Sequence, residues 1–511
     1  MMTKTLHAPG RRLGILSVDE GTTGTRAGVV LDSGTVGHVA YRQIAVRHPD
    51  EHSVEQDPVE IWTATLTVCR EALAWARAND VEITALALST QRATAMLWDR
   101  RTGRPLVPAC VWQDRRYARD LLAYEAEWDE RLTARLGRPV GSRAPFLWAA
   151  RQIAEQPEVA AAHAAGTLLF GTVDTWLAWK FTGGAAHAVS ASNAGSVGAY
   201  LLREHAWDRE WIGQLGCPLD LLPDLFADDD LGYGRIDPEL LGVDLPLAAV
   251  MGDQHAALIA LGGLAAGQGM CVYGTGTFVD AATGDTPALP IPGVTGVLAQ
   301  PGWRQGETTH FSLEAYCSTT GSALRWLCDD LGFFASPAEI GELAARARGQ
   351  VGSGRREWFV PALAGIRTPA WRPEAQAALS GLTLATTRAD VARAVLDGIA
   401  HSVCDLIDGV AETMRAPFGR LRVGGGVAGS DTLMQIQADI VGLPLERAAD
   451  SATASLRGTA YLAGVREGLW SSLEEVVEAQ PRGRVFAPTT TPEQREEQRA
   501  AWRTVLAPHL D

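Results

Sequence analysis

The chain has 511 residues, of which 46% are hydrophobic and 21% are charged, and its formal net charge at pH 7 is −15. This length is enough for two or more ordinary domains, and the composition is that of a soluble globular protein. The negative charge argues against a nucleic acid or an anionic membrane as a partner, because both require a basic face on the protein. It does not argue against a small anionic ligand, which one local pocket can hold.

The seven cysteines are scattered along the chain and form no Cys-x-x-Cys pair. We therefore expect neither a disulfide framework nor a zinc site, and we expect a reducing compartment. The N-terminal stretch MMTKTLHAPGRR lacks the apolar core of a signal peptide. No apolar run approaches the ~20 residues that a membrane helix needs. The sequence therefore predicts a cytoplasmic protein without a membrane span.

The stretch GILSVDEGTTGTRAGVVL, residues 14–31, predicts a strand, a tight turn and a second strand. Apolar runs mark the two strands, and Gly21 and Gly24 supply the backbone freedom that a tight turn needs. Asp19 then lies at the end of the first strand and faces whatever the turn encloses. Taken alone, this carboxylate is equally consistent with a residue that only caps the turn.

Further along the chain, strands alternate with helices that carry clear start signals. In QDPVEIW, Asp57 is placed to cap a helix that begins at Pro58. Residues 84–99 repeat the pattern of strand, turn and strand. Helices are then predicted in 386–407 and 491–502, and each opens on a Thr with a polar partner three residues later. This alternation predicts an α/β chain.

The segment GMCVYGTGTFVDAAT, residues 269–283, repeats the plan of the opening hairpin. Each consists of an apolar run, a turn rich in Gly and Thr, and a second apolar run. Two α/β halves that each begin with such a hairpin explain this repetition. We place the boundary within LGGLAAGQG, which gives an N-terminal domain of residues 1–262 and a C-terminal domain of residues 263–511.

Three Gly-rich turns are candidates for phosphate binding: DEGTTGTR (19–26), YGTGTF (273–278) and VGGGVAGSD (423–431). Glycines let backbone N–H groups approach an anion closely, and hydroxyl groups add donors. The third turn precedes a predicted helix, whose N-terminus favours negative charge. None of the turns is a P-loop or a clean dinucleotide fingerprint. Each alone is most often an ordinary turn, but the three together favour a phosphate-bearing ligand.

A second carboxylate of interest lies in AAVMGDQHAALIALG, residues 248–262. Asp253 follows an apolar run typical of a strand and precedes one typical of a helix. The alternative is that Asp253 only caps this helix, since Asp is a favoured residue at that position. We interpret His255 as a packing or solvent-facing residue, because it has no motif partner.

Together these residues resemble the FGGY family of carbohydrate kinases, and most closely its glycerol kinase branch. The similar segments follow the family order across nearly the whole chain: VDEGTTGTRA, QDPVEIW, TQR, VWQDRR, LLFGTVDTWLAWKFTGG, GDQHAAL, VYGTGTF, LRVGGG and GTAYLAG. The stretch ALSGLTLATTRADVARAVLD, residues 378–397, resembles the C-terminal signature of the family. The match is specific for the family and much less specific for the substrate.

The resemblance implies two ribonuclease-H-like domains of the actin and sugar-kinase type, with a cleft between them. It implies that ATP binds mainly to the second domain, that the sugar or polyol binds to the first, and that Mg²⁺ takes part. Asp253 is then the general base, and Asp19 and Asp253 hold the metal. The positions that match the nucleotide-binding residues are Thr22, Thr23, Arg26, Gly274, Thr275, Gly276, Gly321, Gly425, Gly426 and Ser430.

Members of the glycerol kinase branch bind glycerol through residues that match Arg92, Trp112, Asp253, Gln254 and Phe278 in this chain. Close to the tryptophan, Asp114 resembles an acid with which sugar-kinase members of the family read hydroxyl groups.

Two positions depart from the glycerol-reading pattern. Ala93 replaces a glutamate, and the position of a tyrosine falls near Arg143. The lost carboxylate would contribute ~1.5–3 kcal/mol through a charged hydrogen bond, and the smaller Ala93 opens space for a longer polyol or sugar. Arg143 either enters the pocket, where it favours an acidic or more oxidised substrate, or lies on the surface beside a loop.

The leading hypothesis is an ATP-dependent kinase of a small polyol or sugar, with glycerol as the first candidate. Kinases of xylulose, ribulose, erythritol or ribitol are the alternatives within the class. A non-catalytic actin-like ATP-binding module is the alternative from another class, and the retained Asp19 and Asp253 argue against it. The resemblance is compatible with a homodimer.

Overall fold

The structure is a computed structural model that describes residues 12–141, 143–347 and 357–510. Its strands are β1 (Arg12–Gly21), β2 (Gly24–Leu31), β3 (Val36–Gln43), β4 (Glu55–Gln56), β5 (Val81–Thr90), β6 (Ala95–Asp99), β7 (Arg104–Pro105), β8 (Ala109–Cys110), β9 (Leu168–Thr172), β10 (Ala188–Ser190), β11 (Tyr200–Leu201), β12 (Ala206–Trp207), β13 (Asp224–Phe226), β14 (Leu247–Gly252), β15 (Gln268–Tyr273), β16 (Thr277–Gly284), β17 (Val297–Gln305), β18 (Thr308–Cys317), β19 (Trp358–Val360), β20 (Ala378–Ser380), β21 (Arg420–Gly424), β22 (Leu445–Arg447) and β23 (Arg484–Phe486).

The α-helices of the described residues are α1 (Pro58–Ala78), α2 (Ala118–Leu136), α3 (Pro145–Glu155), α4 (Pro157–Ala164), α5 (Val173–Phe181), α6 (Ala191–Ala194), α7 (Arg209–Gln214), α8 (Pro238–Leu241), α9 (Asp253–Ala260), α10 (Gly321–Arg325), α11 (Pro337–Ala345), α12 (Arg388–Met414), α13 (Asp431–Val441), α14 (Ala454–Arg466), α15 (Leu473–Glu478) and α16 (Pro492–Leu506). A π-helical turn over Trp326–Asp330 follows α10.

The first main sheet has the strand order β14-β5-β1-β2-β3. The predicted opening hairpin forms its centre, where β1 and β2 are antiparallel and Asp19 lies opposite Arg26. Strands β1, β5 and β14 run parallel to one another, with Asp19 beside Ser89 and Gly252 beside Thr90. Because the carboxyl ends of parallel strands meet at one edge, Asp19 and the residue after β14 lie at the same edge, where ligands of open α/β sheets bind.

The second main sheet has the strand order β17-β18-β16-β15-β21-β22-β23. Strands β15 and β16 form the second predicted hairpin, and β21 lies parallel to β15 with Val272 beside Gly424. The turn after β15 and the turn after β21 therefore lie at one edge of this sheet. The two Gly-rich turns of the C-terminal half are neighbours in space, although about 150 residues of chain separate them in the numbering.

The helices begin where the sequence predicts. Asp57 accepts a hydrogen bond from the N–H of Val59 at the start of α1. Helices α12 and α16 each begin with a capping box, made by Thr387 in the first case and by Thr491 in the second. Helix α12 extends beyond the predicted residue 407 to Met414, where Arg415 adopts a left-handed conformation and ends it.

Helix α14 belongs to the C-terminal half of the chain but packs on the first sheet. The hydroxyl of Ser17 donates a hydrogen bond to the carbonyl of Leu456 (2.8 Å), and the hydroxyl of Tyr461 donates to the carbonyl of Gly34 (2.8 Å). Gly458 lies so close to α9 that a Cβ would be 1.7 Å from the carbonyl oxygen of Ala256. A shared apolar layer of α9 and α14 therefore joins the two halves. The boundary at residue 262 falls between the two sheets and stays a prediction.

Candidate active site

The two predicted carboxylates lie at the same edge of the first sheet. Asp19 is buried in β1, and its oxygens accept hydrogen bonds from Ser89 (3.1 Å) and Arg26 (3.2 Å). Asp253 is the first residue of α9, and its Oδ1 accepts a hydrogen bond from the N–H of Gln254 (2.7 Å). The N-cap of α9 is Gly252, and no side chain makes a capping bond there. The alternative that Asp253 only caps this helix therefore lacks the side-chain capping hydrogen bond that it requires.

Burial raises the pKa of Asp253 to about 6, against the opposing charge of Arg92, and the negative charge of Asp19 contributes to the rise. Burial likewise raises the pKa of Asp19, and the charge of Arg26 opposes that shift. The side chain of Asp253 still exposes 24% of its surface. Two neighbouring carboxylates that disfavour each other's charge, one of them partly open, are a donor set that suits a hard divalent cation.

Arg92 connects the candidate base to the second sheet. Its guanidinium donates to Glu314 in β18 (2.5 Å) and to the hydroxyl of Ser196 (3.2 Å), and its Nε lies 3.5 Å from Oδ1 of Asp253. Arg92 and Glu314 expose 7% and 0% of their side chains. The predicted substrate residue therefore forms a buried ion pair between the two halves of the chain.

A buried polar cluster that the sequence patterns do not predict lies behind Arg92. His255, Asp280 and Glu314 are fully buried, and one ligand atom from each lies within 4.8 Å of the others. Both ring nitrogens of His255, both oxygens of Asp280 and one of Glu314 have no hydrogen-bond partner in the described part of the chain. The available signal was an acid in the middle of each apolar strand, in TFVDAAT and HFSLEAY.

Within this cluster, the pKa of Asp280 is raised and that of Glu314 is lowered. Burial, followed by the charge of Glu314, raises the pKa of Asp280 well above its usual value. Burial also acts on Glu314, but the charge of Arg92 holds its pKa below its usual value. We therefore assign the ionised form to Glu314 and the protonated form to Asp280.

Trp112 links the first hairpin turn to the predicted acceptor residues. Its indole N–H donates to the hydroxyl of Thr22 (2.9 Å), and its backbone N–H donates to the hydroxyl of Thr94 (3.2 Å). The hydroxyl proton of Thr22 stays available for a phosphate oxygen, because the hydroxyl only accepts in this contact. Thr23 is exposed at the tip of the same turn.

The predicted nucleotide turns have tight backbone geometry. The N–H of Gly274 donates to the carbonyl of Gly276 (2.8 Å), and the N–H of Gly321 donates to the carbonyl of Gly274 (3.0 Å). Gly425 has φ = 89°, and a Cβ there would lie 2.3 Å from the carbonyl oxygen of Tyr273. Ser430 caps α13 by accepting a hydrogen bond from the N–H of Leu433. Of the remaining predicted residues, Thr275 and Gly426 lie in the same turns.

Ala93 and Arg143, the two departures from the glycerol-reading pattern, line one small pocket together with Trp112 and Asp114. The guanidinium of Arg143 lies 5.3 Å from the centroid of the Trp112 ring. Arg143 therefore faces this pocket. Both oxygens of Asp114 are engaged, one of them by Arg116 (2.7 Å) and by a backbone N–H, so its predicted contact with a substrate hydroxyl has competitors.

The last two predicted acceptor residues differ in their surroundings. Phe278 stacks on Tyr316 with ring centroids 5.1 Å apart. The side-chain oxygen of Gln254 is buried and has no hydrogen-bond partner within the described ranges. A ligand hydroxyl could satisfy this oxygen.

The chain is similar to known proteins over most of its length. The sequence profile of the FGGY family of carbohydrate kinases, N-terminal domain, matches residues 14–260, and that of the C-terminal domain matches residues 269–467. The chain is 35% identical to the glycerol kinase of Alcanivorax borkumensis over 497 residues, covering 96% of this chain and 97% of that protein. It is 37% identical to the glycerol kinase of Bordetella parapertussis over 507 residues, covering 96% of each.

The fold resembles that of solved kinases over almost its full length. Plasmodium falciparum glycerol kinase, solved with ADP, superposes with a TM-score of 0.90 at 25% identity and covers 98% of both chains. The xylulose kinase of Rhodospirillum rubrum shares the fold with a TM-score of 0.85 at 22% identity, covering 97% of this chain and 99% of that one.

Within the described residues, none of the helices combines the length and the apolar character required to span a membrane. The residues that bear on a signal peptide, 1–11, lie outside that part of the chain. The predictions of a two-domain actin-like fold and of a kinase that acts on an alcohol group are confirmed. The chain belongs to the FGGY family of carbohydrate kinases.

Proposed function

We propose that the protein transfers the γ-phosphoryl group of ATP to a hydroxyl of a small polyol or sugar, with glycerol as the first candidate. The observation that carries the proposal is the placement of Asp19 and Asp253 at one edge of the first sheet, where the charge of Asp19 helps to raise the pKa of Asp253. The similarity to proteins named glycerol kinase supports the same class of reaction.

In this proposal Asp253 is the general base. A new bond joins the acceptor oxygen to the γ-phosphorus, the bond to the β-phosphate oxygen breaks, and the hydroxyl proton passes to Asp253 as ADP leaves. An alcohol is a poor nucleophile at neutral pH, so a positioned carboxylate that accepts its proton accelerates the step. The partly open side chain of Asp253 gives an acceptor access to this carboxylate.

The carboxylate oxygens at this edge of the sheet are suitable ligands for Mg²⁺. Mg²⁺ prefers oxygen ligands and commonly keeps several waters, so one or two carboxylates are enough to hold it beside a nucleotide. Asp19 and Asp253 would supply them, and the bound ion would offset charge on the transferring phosphoryl group. Ser89 and Arg26 hold the Asp19 carboxylate in place from the protein side.

The remaining predicted residues take roles that their positions support. The turns after β1, β15 and β21 would bind the phosphates through backbone N–H groups and the hydroxyls of Thr22 and Thr275. Trp112 and Phe278 would pack on the carbon chain of the acceptor, and Gln254 would bind a hydroxyl group. Arg92 would hold Asp253 in place from the opposite side. We extend the proposal to a homodimer, which sedimentation of the purified protein tests, and to a cytoplasmic location, which cell fractionation tests.

A coupled assay of ADP release tests the proposed function. The purified protein is given ATP and Mg²⁺, first alone and then with glycerol, erythritol, ribitol, xylulose, ribulose or gluconate. A kinase should release ADP slowly without an acceptor and much faster with one of these compounds. Steady ADP release that no acceptor stimulates would instead support an actin-like ATP-binding module that hydrolyses ATP and is not a kinase.

A further inference from the structure

Three arginines near the predicted acceptor pocket have no ion pair among the described residues. Arg138 is buried, and its guanidinium donates to the carbonyl of Gly195 (3.1 Å). Arg143 lies over the ring of Trp112, and Arg367 lies 4.2 Å from the ring centroid of Tyr316. Unlike Arg92, which contacts two carboxylates, these three have aromatic rings or a backbone carbonyl as their nearest partners.

Arg143 is close enough to each of the other two guanidinium groups to repel it. Burial, followed by the charge of Arg143, lowers the pKa of Arg138 to about 10. Burial also lowers the pKa of Arg367, and the charge of Arg143 lowers it further. Arg138 and Arg143 come from the N-terminal half of the chain and Arg367 from the C-terminal half; Arg143 lies over Trp112, and Arg367 lies over Tyr316, which stacks on Phe278.

Nearby carboxylates offset this charge only in part, because the charge of Glu314 acts on Arg138 and Arg143 but forms no ion pair with either. Asp114 lines the pocket, but Arg116 and the N–H of Val54 engage it. Glu314 is paired with Arg92. At the position where the glycerol-reading pattern has a glutamate, the chain has Ala93, so the pocket has lost one negative charge.

Uncompensated buried cations are unfavourable, and they persist where a ligand supplies the missing charge. A guanidinium is suited to such a ligand, because its planar fork binds a carboxylate or a phosphate through two parallel hydrogen bonds. Phosphates of ATP are a less suitable source, since Arg143 lies over the predicted acceptor residue Trp112, and Arg367 lies over Tyr316, which stacks on the predicted acceptor residue Phe278.

We propose that the acceptor is an anionic polyol, a polyhydroxylated compound that carries a carboxylate or a phosphate, and that Arg143 and Arg367 bind its acid group with Arg138 behind them. This inference rests on the proposed kinase function and specifies its substrate class. The transferred group and the proton follow the same route as above, since the acid group takes no part in bond making.

The test compares acceptors of equal carbon number: ribitol, ribonate and ribose 5-phosphate, with erythritol and erythronate as a second set. ADP release is measured for the wild-type protein, and the shift of the melting temperature with each compound is measured without ATP. We expect an anionic member to exceed its neutral counterpart in kcat/KM by at least tenfold and to raise the melting temperature. Comparison of ribonate with ribose 5-phosphate then shows whether the site prefers a carboxylate or a phosphate.

Variants then assign the effect to the arginines. Arg143→Gln and Arg367→Gln should each lower kcat/KM for the anionic acceptor by about 10- to 100-fold, the scale of a lost charged hydrogen bond, with the KM for ATP unchanged. Arg131→Gln is the matched control, because Arg131 also lies over a tryptophan ring, that of Trp128, but outside the pocket. Ala93→Glu should reduce the preference for the anion.

Three results would overturn the inference. Neutral polyols could surpass every anion with the wild-type protein, Arg143→Gln could leave the preference unchanged, or it could raise the KM for ATP as much as that for the acceptor. In each of these cases the kinase function would stand. Failure of every acceptor, neutral or anionic, to stimulate ADP release would instead reject the kinase function and this inference with it.

Discussion

Replacing Asp253 by Asn removes the candidate base while preserving its shape. In the structure Oδ1 of Asp253 accepts a hydrogen bond from Gln254 and lies 3.5 Å from Nε of Arg92. An asparagine side-chain oxygen can keep both contacts. Arg92 also keeps its ion pair with Glu314, so the substitution leaves no buried charge without a partner. We therefore expect the variant to fold and to bind ATP.

Turnover should respond very differently. An amide cannot accept the proton of an alcohol at neutral pH, and loss of a positioned base usually lowers the rate by about 10²–10⁴-fold. At 1.36 kcal/mol per tenfold change, this corresponds to about 2.7–5.4 kcal/mol of transition-state stabilisation. The melting temperature should change little by comparison, because the hydrogen bond to Gln254 and the neighbouring ion pair persist.

The assay is coupled ADP release at saturating ATP and acceptor, combined with calorimetric titration of ATP and thermal unfolding. Asp237→Asn is the matched control, because Asp237 caps a helix by accepting a hydrogen bond from the N–H of Glu239 (2.9 Å). If Asp253 were only a helix-start residue, both variants would behave alike. Near-wild-type turnover of Asp253→Asn would refute its assignment as the base.

Three further results are expected. Burial raises the pKa of Asp228 to about 7, so ionisation of this group destabilises the folded state as the pH rises from about 4 to 7. Compared with Asp228→Asn, the wild-type free energy of unfolding should therefore fall over that range by up to ~1.4 kcal/mol per pH unit. Urea unfolding that shows the same pH dependence for both proteins would contradict this. Gly425→Ala should destabilise the protein and weaken ATP binding, because φ of Gly425 is 89° and a Cβ would lie 2.3 Å from a carbonyl oxygen. A Cβ at Gly426 would meet nothing within 4 Å, so the control Gly426→Ala should unfold at the wild-type temperature. Chelation of divalent cations should stop ADP release without altering the circular dichroism spectrum, and added Mg²⁺ should restore it; full activity in the chelator would remove Asp19 from metal binding.

The sequence predicts those parts of the fold and site that depend on local signals. Alternating apolar runs and closely spaced glycines predict both hairpins, because a short turn determines the register of its two strands. Asp57, Thr387 and Thr491 predict helix starts, since a capping side chain acts only on its own first turn. Asp19 and Asp253 are recognisable as site candidates because each directly follows an apolar run.

Features that depend on distant segments could not be predicted from these patterns. The partner of Arg92 is Glu314, 222 residues away, and only the juxtaposition of the two sheets brings them together. The packing of α14 on the first sheet has the same origin, as does the lack of a hydrogen-bond partner for Asp280 among the residues that the structure describes. Arg143 shows the limit most directly, because its sequence position is compatible with the surface or the pocket, and only the position of Trp112 decides between them.

The ion pair between Arg92 and Glu314 connects domain arrangement to the chemistry of the base. The negative charge of Glu314 raises the pKa of Asp253 directly, and it also offsets the charge of Arg92, which lowers that pKa. Any movement that separates the two halves at this contact therefore lowers the pKa of Asp253 through both effects. A carboxylate with a lower pKa is a weaker base. The arrangement in which Arg92 reaches Glu314 is thus the one in which Asp253 accepts a proton most readily, so closure of the two halves would strengthen the base at the moment the acceptor is enclosed.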